Sequence, residues 1–253
     1  MSDLLINNKL KLTDVEAVIF DKDGTLIDVH HYWASMLKIR AKLIVNKYKL
    51  DGNVKNELMN VMGIDTETSK IKPDGPVGIK PRSFIVSVAT EVLNYYNVNA
   101  AHNDVEDMFL EADKKTSKNM LPLLKLLPGV NSLLSSLKKN NVKMFIASTD
   151  LSSRSRGAME ALNIDGYFSD IIGGDSVKNT KPSPDLALKI INRFNFDSNK
   201  VVVIGDHPVD ILMGNTASVG LSVGVLTGLS EEATFKGLDC HLASNLTDIK
   251  IIK

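Results

Sequence analysis

A chain of 253 residues with 43% hydrophobic and 24% charged residues has the length and apolar content for a substantial core, which excludes global disorder. Basic and acidic residues balance at 30 each, so the formal charge of zero gives no general attraction for nucleic acid or an acidic membrane surface, and no local basic patch stands out. The single cysteine, Cys240, excludes an internal disulfide, and the opening MSDLLINNKLKLTD has no apolar segment followed by a cleavage site, so a cytoplasmic setting is expected. The apolar runs all fall far short of the roughly 20 residues needed to span a bilayer, so no membrane partner is expected.

Taken in chain order, residues 16–20 (EAVIF) read as a fully buried strand that ends abruptly in Asp21. From 31 to 121 the pattern changes to four helices and no strand: 31–48, 54–62 closed by Gly63, 82–96 after Pro81, and 103–115, with Asn103 and Glu106 in capping-box spacing. The stretch 71–81 (IKPDGPVGIKP) is the least regular part of this segment. Helix 129–139 then follows Pro128, strand 142–147 ends in Ser148-Thr149-Asp150, and helix 153–162 comes next. Helix 186–194 follows, behind a Ser183 cap and Pro184, and strands at 201–204 and 221–226 complete the series. This alternation predicts an α/β fold: a Rossmann-like parallel sheet with helices on both faces, formed by 1–30 and 123–253. Residues 31–122 form an inserted α-helical cap domain. Function is expected at the carboxyl edge of the sheet.

Four clusters carry candidate chemistry there. Asp21 and Asp23, in Asp21-Lys22-Asp23-Gly24-Thr25, are two residues apart in extended chain and project the same way, and Gly24 permits the turn that follows. Asp206 ends the strand 201–204, while Asp210, just after Pro208, suits a helix start and reads as structural. Convergence of Asp21, Asp23 and Asp206 would set like charges against one another, a conflict that a hard divalent cation such as Mg²⁺ removes. Lys181 is presented on stiff Pro182 and Pro184 flanks near a helix start that favours anions. Ser148 and Thr149 offer a hydroxyl and backbone N–H groups at a third strand end.

In this order, an acid pair, Ser/Thr, Lys and Asp, the chain resembles the haloacid dehalogenase-like hydrolase superfamily. Pro128-Gly129-Val130 and Gly224-Val225-Leu226-Thr227-Gly228 add a likeness to its phosphoglycolate-phosphatase-like branch, and the insert stands where that branch carries a helical cap. The resemblance implies a Mg²⁺-dependent phosphatase acting on a small phosphorylated metabolite. Asp21 would then form an aspartyl-phosphate and Asp23 act as general acid and base. The Asp21 carboxylate, the Asp23 backbone carbonyl and Asp206 would hold the metal, Ser148, Thr149 and Lys181 the phosphoryl group, and Gly24, Thr25 and Asp210 would support them. Lys22 stands where many relatives carry an apolar residue. The alternatives are a phosphomutase or phosphonate hydrolase on the same core, and a non-catalytic phospho-binding protein. Within the cap, Lys80 and Arg82 are candidates to meet a second anionic group of the substrate. The G-x-S-x-G spelling around Ser222 falls inside a strand and is read as coincidence. The oligomeric state is not readable from the sequence.

Overall fold

The computed structural model describes residues 2–72, 74–77 and 80–252, so Pro73, Gly78 and Ile79 of the irregular 71–81 stretch lie outside the described residues. In chain order the strands and helices are β1 (Asp3–Ile6), β2 (Lys9–Leu12), β3 (Ala17–Phe20), α1 (Val29–Tyr48), α2 (Gly52–Val61), β4 (Ile64–Asp65), β5 (Lys70–Ile71), α3 (Arg82–Tyr95) and α4 (His102–Lys118). They continue with α5 (Val130–Lys139), β6 (Lys143–Ala147), α6 (Ser152–Ala161), β7 (Asp170–Ile172), α7 (Asp185–Phe194), β8 (Val201–Gly205), α8 (Pro208–Thr216), β9 (Leu221–Val225), β10 (His241–Ala243) and β11 (Ile249–Ile252). The chain divides into two units, one made of 1–29 and 126–253 and the other of 30–125.

The first unit is built on a six-stranded, all-parallel sheet in the order β10-β9-β8-β3-β6-β7. Its central strands β3, β8 and β9 are buried at every position, which is why β3 and β8 read as apolar runs rather than alternations, while β9 also holds the buried Ser222. Ala17, Ile19, Phe145, Val201 and Val203 face one side and pack with Leu186, Ala187 and Ile190 of α7 and Met213 of α8. The alternate residues Val18, Phe20, Met144, Ile146, Val202 and Ile204 are buried as well, and α5 packs on β6, so both faces are covered. Chain order runs from β3 outward through β6 to β7, and in the other direction through β8 to β10. The order therefore reverses beside β3, and in such sheets the crevice at the carboxyl ends of the strands is where ligands bind.

A second sheet, β11-β1-β2, is antiparallel and joins the chain's beginning to its end. The sequence reading did not anticipate it. Its signal is the Asn7-Asn8 pair between DLLI and KLKL: both residues take positive φ, 50° and 61°, as a two-residue hairpin turn requires. The edge strands β7 and β10, of three residues each, are too short to give a pattern.

The second unit holds α1 to α4, with two departures from the sequence pattern. Ile64–Asp65 and Lys70–Ile71 pair as a small antiparallel hairpin where no strand was expected, its turn held by the Asp65 carboxylate accepting the N–H groups of Glu67 and Thr68 at 2.9 and 3.1 Å. The N-terminus of α4 is a second departure, because the helix starts at His102 and the Ala101 N–H donates to the Asp104 carboxylate at 3.1 Å. Asn103 and Glu106 therefore do not form the expected box, and Glu106 is taken by Arg82 Nε at 2.8 Å. Arg82 also reaches Asp113 at 2.7 Å, while the buried Arg40 meets the other oxygen of Asp113 at 3.1 Å and lies over the Phe109 ring. Burial alone would raise the Asp113 pKa, but hydrogen bonds from Arg82 and Arg40 win and hold it below the usual carboxylate range.

Asp113→Ala would strip the buried Arg40 of its counter-charge and should cost about 2–4 kcal/mol, near the lower end for breaking a buried pair. A depressed acid contributes stability above its unfolded pKa of roughly 3.9 and loses it as pH falls through the folded value. Urea unfolding should therefore show the difference between wild type and variant shrinking below about pH 4; a constant gap would rule out this charge pairing as its source.

Candidate active site

The site is assembled from the carboxyl ends of neighbouring strands in the first unit. After β3 the Asp21 N–H donates to the Ile204 carbonyl of β8 at 2.8 Å, which fixes the start of the acidic segment against the adjacent strand. The Lys22 carbonyl then accepts the N–H groups of Leu26 and Ile27, both at 3.0 Å, closing a turn in which Gly24 takes φ +88°. A Cβ at Gly24 would run into the Asp206 carboxylate, so conformation and space both demand glycine there. Thr227 secures the turn from outside, its hydroxyl donating to the Gly24 carbonyl at 2.6 Å.

Asp206 leaves β8 directly, is buried, and accepts a long 3.5 Å hydrogen bond from the buried Thr25 hydroxyl. Asp210 lies on the first turn of α8, where one of its oxygens accepts the His207 N–H at 3.1 Å. Its other oxygen lies 2.6 Å from Lys181 Nζ, and the same ammonium donates to Asp21 Oδ1 at 2.6 Å. Both the Lys181 and Asp210 side chains are almost wholly buried. Of the three acids weighed for convergence, Asp21 and Asp206 bring their carboxylates together, and Asp23 does not. The carboxylates that come within 4.8 Å of one another are Asp21, Asp206 and Asp210, while Asp23 turns its side chain to Lys22 at 2.6 Å. Asp210, expected only as support, belongs to the cluster because α8 begins immediately beyond the strand end that bears Asp206.

Electrostatics follow from burial and proximity. Removal from water raises the Asp21 pKa, Lys181 opposes that rise, and Asp210 adds to it. Asp206 is pushed well above the usual carboxylate range, first by burial and then by Asp21 and Asp210. Burial would lower Lys181, yet Asp21 and Asp210 outweigh it and hold the ammonium well above its ordinary value. With three carboxylates and one ammonium, the cluster carries an excess of negative charge that a divalent cation would neutralise, and the all-oxygen donor set suits Mg²⁺.

The remaining expected residues are placed as follows. Ser148, buried at the end of β6, accepts the Asp150 N–H at 3.1 Å, and Thr149 is exposed beside it. Lys181 precedes a cis bond to Pro182. Ser183 does not cap α7; its hydroxyl donates to Asp185 at 2.6 Å, and Pro184 holds the cap position without a side-chain bond. In the second unit Lys80 is exposed, with its ammonium 5.9 Å from the Phe84 ring centre, and Arg82 is engaged by Asp113 and Glu106. That correction to the paired-cation expectation stems from partners on α4 that sequence spacing does not reveal. Ser222 lies within β9 and donates to Asn215 at 2.8 Å, as the coincidence reading required. Sequence reasoning missed the part played by Gly228, where a Cβ would fall inside the Asp206 carboxylate.

A doubly wound α/β protein with an acid cluster joined to a buried lysine at its strand-order reversal is the class that this architecture defines. Among solved structures, it resembles a HAD-superfamily hydrolase of subfamily IA from Geobacter sulfurreducens (TM-score 0.65, 17% identity, covering 92% of this chain and 93% of that one). It also resembles a Thermotoga maritima protein proposed to be a beta-phosphoglucomutase (TM-score 0.66, 21% identity, 92% and 95%). These likenesses concern the fold. The chain belongs to the haloacid dehalogenase-like hydrolase family, whose model matches residues 15–218. A phosphorylated carbohydrates phosphatase of Thermotoga maritima is 24% identical over 217 residues, 86% of this chain and 88% of that protein. The phosphoglycolate phosphatase of Escherichia coli is 33% identical over 102 residues, 39% of this chain and 40% of its own length. Among the described residues, no helix is long and apolar enough to cross a membrane.

Gly228→Ala should displace the Asp206 carboxylate without opening a cavity. Since a misplacement of ~1 Å can cost about 10²-fold, turnover of a phosphate ester should fall by at least ~10-fold. Unchanged turnover would contradict the crowding of Asp206 by this turn.

Proposed function

We propose that this protein hydrolyses a small-molecule phosphate monoester through an aspartyl-phosphate on Asp21, with Mg²⁺ as its cofactor. The observation that carries the reading is the buried Lys181 ammonium joined to Asp21 within a cluster of three carboxylates. Membership of the hydrolase family and the phosphatase names of the relatives support the same chemistry. Asp21, Asp206 and the Asp23 carbonyl would hold the cation, with Asp210 close enough to Asp21 and Asp206 to contribute. When bound, the cation supplies positive charge between the anionic nucleophile and the anionic phosphoryl group.

The residues divide the work as follows. An Asp21 carboxylate oxygen attacks phosphorus, the bond to the ester oxygen breaks, and the departing oxygen takes a proton from Asp23. Asp23 then takes a proton from water, whose oxygen attacks the aspartyl-phosphate, releasing phosphate and restoring Asp21. Lys181, the Ser148 hydroxyl and the Thr149 backbone hold the phosphoryl oxygens and balance the charge that gathers there. Asp23 suits a task that faces the substrate, because 42% of its side chain is exposed. The named relatives favour phosphorylated carbohydrates or phosphoglycolate as the substrate class.

Turnover of an aryl phosphate should stop in excess chelator and return with added Mg²⁺; undiminished turnover would overturn the metal assignment. Asp21→Asn should leave essentially no activity on any ester. Asp23→Asn should lose roughly 10²–10⁴-fold on an alkyl phosphate and far less on an aryl phosphate, whose leaving group needs little protonation. Equal losses on both esters would contradict the division between nucleophile and acid.

A further inference from the structure

Lys22, between the two motif aspartates, is a long cationic side chain with only 6% of its surface exposed. It points into protein rather than solvent. Its ammonium lies 2.6 Å from Asp23 Oδ2 and 3.5 Å from Asp150 Oδ2. Asp150 is itself fixed: its N–H donates to the Ser148 hydroxyl at 3.1 Å, and its other carboxylate oxygen accepts the Leu151 N–H at 2.8 Å at the head of α6. Lys22 therefore joins two loops that leave adjacent parallel strands, β3 with Asp21 and Asp23, and β6 with Ser148 and Thr149.

Burying an ammonium is costly unless it is paired on well-held partners, and pairing with Asp23 alone would leave that cost poorly offset. Asp150 supplies the second partner. The consequence falls on Asp23, whose side chain is otherwise substantially open and free to change rotamer. We infer that Lys22 is a positioning residue: anchored on Asp150, it holds the Asp23 carboxylate in one orientation relative to the loop that carries Ser148 and Thr149. The inference rests on the reading of Asp23 as the proton-transfer group.

The test is a double-mutant cycle read on two esters. Lys22→Met removes the tether while keeping an unbranched chain of similar length. Asp150→Asn removes the charge of the far anchor, along with an exposed pair to Arg154 at 3.7 Å, and leaves Lys22 paired with Asp23, so it reports even if Lys22→Met folds poorly. A part of the acid's contribution should be lost, about 10-fold or more in kcat on an alkyl phosphate for Lys22→Met and less for Asp150→Asn, with KM little changed and aryl phosphate turnover nearly intact. Lys22→Arg, which keeps the charge, should restore much of the alkyl activity. Once Asp23 is Asn, adding Lys22→Met should cost almost nothing more, because the two residues act as one unit. Additive losses, or equal losses on both esters for Lys22→Met and Asp150→Asn while Asp23→Asn still discriminates between them, would overturn the tether alone. If Asp23→Asn itself fails to discriminate, the acid assignment falls and the tether with it.

Discussion

The acid cluster depends on the buried Lys181 ammonium. Lys181 stands 2.6 Å from both Asp21 and Asp210; Asp206 and Asp210 are buried and Asp21 is partly so. Three like charges at such range repel strongly where screening is weak, and desolvation further disfavours their charged forms. One lysine cannot neutralise three acids, but it joins two of them and leaves an excess that suits a divalent cation. It also draws together chain segments far apart in sequence: the end of β3, the lead-in to α7, and the first turn of α8.

The backbone around this charge cluster explains why its residues come from strand ends. A parallel sheet brings the carboxyl termini of β3, β6 and β8 to one edge, and the reversal of strand order beside β3 keeps a helix from covering that edge directly. Space is then limiting. Gly24 and Gly228 crowd the Asp206 carboxylate, and a Cβ at Gly205 would collide with the Asp210 side chain. Thr25 and Thr227 supply hydroxyls that hold the carboxylate and the turn. The acids are thus positioned by close backbone approach as much as by hydrogen bonds.

β3 and β8 were legible because each is buried on both faces, so its apolar run needs no context, and each leads into an acid of the site. The motif order placed Asp21, Lys181 and Asp206 at one edge for the same reason. What escaped was set by partners distant in sequence. Lys22 and Asp150 are brought into range only by the pairing of β3 with β6, and Arg82 finds Asp113 and Glu106 only once α3 packs on α4. The substitution of Asp210 for Asp23 in the carboxylate cluster depends on side-chain directions that a motif does not encode. β11 could not be paired with β1 from a local pattern, although the Asn7-Asn8 turn between β1 and β2 was visible.

The central claim is that this cluster makes Asp21 a nucleophile toward phosphorus. Rapid acid quenching during turnover of a phosphate monoester labelled in its phosphoryl group tests it most directly. The account predicts label bound to the protein in a hydroxylamine-sensitive form, as expected of an acyl phosphate, mapping to Asp21 and absent from Asp21→Asn. Steady release of labelled phosphate with no label ever on the protein, and turnover persisting in Asp21→Asn, would show that water attacks phosphorus directly and would contradict it.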